Sequence, residues 1–508
     1  MSHTSLPPAL GFAASNVASR NGNQRHLSVG IVGGGFGGVG MGIRLRQEGI
    51  EDFTIFERGE TVGGVWRANT YPGAACDVPS HLYSFAFAPG TRWSRRYAPQ
   101  PEILAYLEEC VEKFGLEPNL RLGVEATAAS FDAGSGRWTL ETDDGGVHEF
   151  DVLVTACGQL TRPAIPAIPG ADDFEGPVFH SAEWDHDVEL EGKRVAVIGT
   201  GASAIQFVPE IAKQARSLAI YQRSAPWILP KPDVAYSERK RSLFRRFPIR
   251  VAAARLGLFS FFECGTYAFT GKTWIMTPFR AVADHERRTR LSDPELLRKA
   301  TPDYEIGCKR ILFTSDWYPA IARDNVELLE GGVERITAAG VIGADGVERP
   351  ADAIIYGTGF QSHNFVAPME IHGLDGRELG AVWRDSPDAY LGTTVSGFPN
   401  MFVMYGPNTN HGSGSVPYTL QCQYNYALDA MRRIRDRDLR WIDLRPETMA
   451  EWDREMAERS AHTVWVTGGC HSWYINEKGA NTNNWPGPWL EFHRRTRRIN
   501  PGHYRAAA

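Results

Sequence analysis

No stretch of this sequence reaches the roughly 18 consecutive apolar residues that a membrane-spanning helix requires, so none is expected. Cysteine is scarce: 7 in 508 residues, an odd number, scattered and without a C-x-x-C pair. That argues against a disulfide framework and for a reducing, cytoplasmic setting. The 14 histidines show no H-E-x-x-H or other ligand spacing, so no metal is expected. A surplus of positive charge is also lacking. The net charge is -6, which gives nucleic acid no global attraction. Residues 1–26 are rich in Ser, Asn, Ala, Pro and Gly, and lack a basic start followed by a compact apolar run; they read as a disordered tail rather than a signal peptide. No G-x-S-x-G elbow occurs. The string from Gly265 to Gly271-Lys272-Thr273 has one residue too many between its glycines for a phosphate-binding P-loop.

What is present is an ordinary globular composition, 43% hydrophobic and 22% charged, long enough for roughly two to four domain-sized units. Two β-turn-α-β openings organise it. The first runs from the apolar strand at Leu27 through Gly33-Gly34-Gly35-Phe36-Gly37-Gly38 to a strand ending at Glu57. In this G-x-G-x-x-G, Gly33 permits the tight turn, Gly35 lets a pyrophosphate approach the backbone, and Gly38 lets helix and strand pack closely. The helix N-terminus offers amides and positive partial charge. Glu57 stands about 20 residues further on, where a ribose-binding carboxylate belongs. The second opening restarts at Lys193 and carries Gly199-Thr200-Gly201-Ala202-Ser203-Ala204, a G-x-G-x-x-A with Gly199, Gly201 and Ala204 in the same three roles. Its second strand ends in Gln222-Arg223-Ser224 instead of an acid. A guanidinium and a hydroxyl suit the 2′-phosphate of NADPH, which a carboxylate would repel.

Two dinucleotide sites in one chain point to hydride transfer from a nicotinamide to a flavin. A dithiol reductase is unexpected, because Cys76 has no partner cysteine nearby. The expected fold is α/β: two Rossmann-like dinucleotide-binding domains, with a small β-meander and a partly helical insertion. Residues 27–160 would form the first part of the FAD domain. Residues 161–329 would form the NADPH domain, with the insertion at about 235–305, and residues 330–508 the second FAD part and C-terminal segment. Asp352–Gly359, a third strand running into a glycine turn, would return the chain to the first domain.

Two longer strings then carry a family resemblance. Phe174-Glu-Gly176-Pro-Val-Phe-His180-Ser-Ala-Glu-Trp184-Asp185 fits F-x-G-x-x-x-H-x-x-x-W-[PD] at every defined position. Gly63-Gly64-Val65-Trp66 through Tyr71-Pro72-Gly73 to Asp77 fits [AG]-G-x-W-x-x-x-x-[FY]-P-[GM]-x-x-x-D. The chain thereby resembles the type I Baeyer–Villiger monooxygenases, with likeness from about residue 27 to 495. The N- and S-oxidising flavin monooxygenases, the alternative, usually have Tyr or Phe and then a basic residue where Trp184-Asp185 stands.

The resemblance implies FAD and NADPH as cofactors, and an oxygen atom from O2 inserted beside the carbonyl of an apolar ketone through an anionic peroxyflavin. It implies Arg310, within Cys308-Lys309-Arg310, as the cation beside that anion, and Asp77 as the group that orients Arg310. Lys309 would reach the NADP phosphate together with Arg223 and Ser224. Gly64, Trp66 and Asp77 would belong to the cofactor site, and Trp473 would stand near the nicotinamide ribose. His180 reads as a structural histidine at a domain junction, and Trp66 and Trp184 as packing anchors. Trp93, Trp227, Trp317 and Phe259–Phe262 fit either an apolar pocket or a core.

Residues 239–255 carry seven Lys or Arg and no acid, ahead of the apolar run Leu256–Phe262. Two readings stay open: weak peripheral contact with an anionic membrane surface, or a basic helix covering the NADPH domain with Phe259, Phe261 and Phe262 in the core. The second is the simpler, since seven apolar residues cannot span a bilayer and Pro248 interrupts any long helix. Oligomeric state is not legible.

Overall fold

The computed structural model describes residues 25–508. The expected tail therefore lies outside the described residues except for Arg25 and His26, and the expected disorder does not extend to these two. Arg25 pairs with Asp151 at 2.6 Å, and His26 lies 3.6 Å from Asp52.

In chain order the first strands are β1 (Val29–Val32), β2 (Phe53–Glu57) and β3 (Leu120–Leu122), then β4 (Ala126–Asp132), β5 (Arg137–Thr142), β6 (Val147–Phe150) and β7 (Val152–Thr155). There follow β8 (Val178–His180), β9 (Arg194–Ile198), β10 (Ser217–Gln222), β11 (Ile228–Leu229), β12 (Leu312–Phe313) and β13 (Val326–Glu330). Next come β14 (Val333–Thr337), β15 (Gly340–Gly343), β16 (Glu348–Pro350), β17 (Ala353–Tyr356), β18 (Glu370–His372) and β19 (Met401–Val403), and the pair β20 (Trp441–Leu444) and β21 (Tyr504–Ala507) closes the series. Two five-stranded parallel sheets organise them, in the orders β19-β7-β1-β2-β3 and β13-β10-β9-β17-β8. Their central strands β1, β7 and β17 are buried at every position, because helices or loops cover both faces of a parallel sheet.

The fingerprint glycines explain why each sheet sits so close to its own helix. Gly33 and Gly199 have φ of 110° and 109°, conformations that side chains rarely adopt. A Cβ on Gly33 would lie 2.4 Å from the Ala156 carbonyl oxygen, and one on Gly199 2.4 Å from that of Gly357. A Cβ on Gly38 would fall 1.9 Å from the Gly33 carbonyl oxygen, so helix Phe36–Gln47 lies against β1 only because position 38 is bare.

Three expectations need correction. The strand within Asp352–Gly359, β17, does not return the chain to the first domain. It pairs with β9 and β8 in the second sheet, and β14–β16 precede it as a three-stranded meander, so the second unit extends past residue 329 to about residue 359. The insertion, helices Glu238–Arg246, Pro248–Phe269, Thr277–Arg290 and Pro294–Lys299, does break at Pro248. Its long helix, however, covers the first domain rather than the NADPH domain. Phe259 packs on Tyr418 and Trp489, and Phe261 faces outward, 61% exposed. Lastly, Cys308 and Cys470 form a disulfide across 162 residues of sequence, against the expected absence of one. Sequence spacing conceals such a pair; it forms because residues 304–308 and the helix Val464–Thr467 share a small core with Trp227 and Phe269.

Trp93, Trp227 and Trp317 are all buried within cores, which decides between the two readings of those residues.

Thiol titration of the unfolded, unreduced protein should count five free cysteines, rising to seven after reduction. Burial also holds three histidines neutral, lowering His81 and His180 to about 4 and His411 to about 3. The unfolded chain, titrating near 6.5, takes up these protons first as pH falls. Stability present above pH 6.5 should therefore be lost progressively towards pH 4. Melting temperature against pH measures this, and His411→Phe should flatten the slope.

Candidate active site

A cavity of about 260 Å³ opens at the carboxyl ends of β1 and β2, the edge where doubly wound sheets bind ligands. Gly33, Gly35, Glu57 and Gly64 line it. Gly35 and Gly64 face each other; a Cβ on Gly64 would lie 3.0 Å from the Gly35 Cα. Bare backbone on both walls leaves a cradle fit for a pyrophosphate. The helix behind it opens with no acid in its first turn and no side-chain cap, so its first amides are free to meet an anion.

Glu57 is 5% exposed and held rigidly. Its carboxylate accepts the Gly34 amide at 2.7 Å and the Gly59 amide at 2.9 Å, and pairs with Arg67 at 3.0 Å. These bonds aim it at the cavity while leaving part of its acceptor capacity for a ribose hydroxyl. Trp66 does not line the cavity. It donates its indole N–H to the Tyr83 hydroxyl at 3.1 Å, and Tyr83 does line it.

At the second fingerprint, helix Ala204–Ile211 also opens with neither acid nor side-chain cap. Gly201 lies on the turn before it, and Ala204 is fully buried against the sheet. Beyond the end of β10, Arg223 is exposed, and the Lys309 ammonium donates to the Ser224 hydroxyl. Burial and the nearby Arg223 charge both push the Lys309 pKa down. Residues read from two separate strings thus meet here as two cations and a hydroxyl.

Arg310 and Asp77 stand between the two fingerprints. The Arg310 Nε donates to Asp77 at 2.8 Å, and Nη2 lies 2.6 Å from the same carboxylate oxygen. The Asp77 charge outweighs burial and raises the Arg310 pKa well above its ordinary value, so the guanidinium is permanently protonated. The string 63–77 reaches this point by bridging the domains. Tyr71 donates to Gln206 at 3.0 Å, Gln206 donates to the Ala75 carbonyl at 3.0 Å, and Gly73, with φ of 81°, passes against the Gln206 carbonyl.

His180 is fully buried and accepts the Ala182 amide at Nδ1, which places its proton on Nε2 and fits a structural role. Trp184 packs against Phe179 and Phe207. Trp473 lies against Tyr474, with ring centroids 4.4 Å apart and the rings tilted at 52°, and its carbonyl accepts the Ser362 hydroxyl.

Two residues that sequence reasoning missed complete the site. Tyr474 hydrogen-bonds Arg310, and Tyr405 lies near it while lining the cavity. Burial raises the pKa of both, so they remain neutral phenols. Tyr405 adopts a φ of 58°, rare for a non-glycine residue, and nothing in the spacing of its neighbours announces it.

Comparisons with known proteins agree with this geometry. A family model described as Flavin-binding monooxygenase-like matches residues 26–247. Among solved structures, an oxidised steroid monooxygenase bound to NADP superposes with a TM-score of 0.84 at 30% identity, covering 95% of this chain and 99% of that one. Cyclohexanone monooxygenase from Rhodococcus sp. Phi1 bound to NADP+ gives 0.83 at 25% identity, with the same coverage. A Baeyer-Villiger monooxygenase of Pseudomonas aeruginosa is 45% identical over 94% of this chain and 91% of its own length. One of Streptomyces coelicolor is 44% identical over 95% and 93%. At that identity over nearly its whole length, the chain belongs to the Baeyer–Villiger monooxygenase family.

Proposed function

We propose that the protein inserts one atom of O2 beside the carbonyl of an apolar ketone, giving an ester or lactone at the expense of NADPH. FAD, bound in the first cavity, would supply the redox chemistry and the activation of O2. The first domain, residues 27–160 together with those after about 359, would hold it. The unit between would hold NADPH, with Arg223, Ser224 and Lys309 on its 2′-phosphate.

The observation that carries this reading is the Arg310–Asp77 pair at the junction of two dinucleotide-binding turns. Oxygen insertion at a carbonyl builds negative charge on oxygen, and a fixed cation in a water-poor site is what stabilises it. Asp77 grips the Nε edge of the guanidinium, so the cation is oriented before the reaction and cannot swing away. An enzyme that used a neutral, electrophilic oxygen donor would have no need of such a cation. Trp473, beside Tyr474, would help position the nicotinamide ribose.

Arg310→Ala should leave reduction of bound FAD by NADPH intact while lowering ester formation roughly 100-fold or more. Stopped-flow absorbance and product analysis on linear, cyclic and aryl ketones separate the two steps; an undiminished ester yield would remove Arg310 from the mechanism. Arg223→Ala should raise the KM for NADPH about tenfold, the worth of one exposed charge-assisted contact, and leave that for NADH nearly unchanged. Equal effects on both cofactors would refute the phosphate assignment.

A further inference from the structure

The helical insertion presents a surface that the oxygenation reaction does not use. Residues 239–283 carry nine Lys or Arg against a single acid, Glu263, in a chain whose net charge is -6. Glu263 points inward, accepting the Trp489 and Leu490 amides. Of the cations, Arg255 is also turned inward, donating to the His81 and Ser84 carbonyls. Arg239, Lys240, Arg245, Arg246, Arg250 and Lys272 are exposed.

Apolar side chains stand among these cations. Ile249 is 65% exposed, Leu256 46%, Phe261 61% and Trp274 72%. Among the described residues, every exposed large aromatic side chain, Phe247, Phe261, Tyr267 and Trp274, falls in this one segment. Ile249, Leu256 and Tyr267 lie along one line of the 22-residue helix Pro248–Phe269, and Phe261 stands about a third of a turn round, at the other edge of the exposed arc that carries Arg250. The opposite face is the one that packs, through Val251, Phe259 and Phe269. Phe247 and Ile249 form the elbow between the two helices, and the Arg246 and Arg250 guanidiniums lie 5.8 Å and 5.9 Å from the Phe247 ring centroid.

We propose that this face rests on an anionic phospholipid bilayer, with the apolar side chains seated among the acyl chains and the cations among the headgroups. Cations ringing an apolar stripe fit that interface, and Trp and Tyr favour its depth. A second copy of the chain is a poor occupant, because a two-fold interface would bring the same basic patch against itself. A nucleic acid would leave Ile249 and Leu256 against phosphate and water, with no apolar surface to cover them. Contact with the interface would let the enzyme meet apolar ketones where they partition. The proposal does not depend on the reaction chemistry, and its test reads binding rather than turnover.

The FAD-loaded protein should co-sediment with phosphatidylcholine vesicles containing phosphatidylglycerol, not with phosphatidylcholine alone, and high salt should release it. Replacing two exposed cations, Arg246→Gln with Arg250→Gln, should lower the partition constant roughly 30-fold. Ile249→Asp with Phe261→Asp should abolish binding while leaving NADPH oxidation with a ketone in vesicle-free buffer unchanged. Failure to sediment with the anionic vesicles would overturn the proposal, as would equal binding to both vesicle types or variants that bind like the parent. So would a dimer, seen by light scattering, that Ile249→Asp with Phe261→Asp dissolves in a protein that binds no vesicle.

Discussion

The Arg310–Asp77 ion pair is the constraint on which the functional geometry turns. Asp77 ends a string that begins at the mouth of the first cavity, and Arg310 follows the Lys309 that reaches the second fingerprint. This contact therefore ties the two dinucleotide-binding units to each other. Buried ion pairs contribute little net stability, because desolvation cancels most of the attraction, whereas removing one partner strands the other charge. The pair is better understood as a fixer of position. The structure around it repeats that purpose: Gln206 holds the 71–75 segment from the far side, Tyr474 takes a further bond from the guanidinium, and the Cys308–Cys470 bridge ties the segment before Lys309 to the one before Trp473.

Much of this was legible in the sequence where the governing physics is local. The fingerprint glycines can be read because a tight turn and a close helix leave no room for a Cβ, and the contacts of Gly33, Gly38 and Gly199 are of that kind. The meeting of Arg223, Ser224 and Lys309 was also foreseen, though only through family resemblance, since nothing in their spacing places Lys309 beside residue 224. What sequence missed was settled by tertiary contacts. The strand β17 carries the same apolar-then-glycine pattern as β7, and such a pattern says nothing about which sheet the strand joins. Cys308 and Cys470 are too far apart for their spacing to mean anything. Phe261 and Phe259 differ by two positions in an apolar run, and only the docking of the helix on Tyr418 and Trp489 decides that one is core and the other surface.

The aromatic residues separate into distinct duties. Trp66 braces Tyr83 behind the cavity wall, Trp184 seals the start of the second domain against Phe207, and Trp489 receives the insertion helix. None of the three lines the first cavity; each instead holds a neighbouring element in its place.

The docking of that insertion also restricts how the domains can move. In sequence the helix Pro248–Phe269 belongs to the second domain, yet Arg255 grips the carbonyls of His81 and Ser84, and Glu263 caps the helix that begins at Trp489, all in the first. The insertion therefore works as a mechanical linkage, pinned to one body and leashed to the other at both ends. The chain entering it is held as well, since the Arg96 amide donates to the Val234 carbonyl and the Tyr236 amide to the Ser94 carbonyl, so the strain of any rotation of one sheet relative to the other falls on the few residues where this linkage crosses between the two bodies.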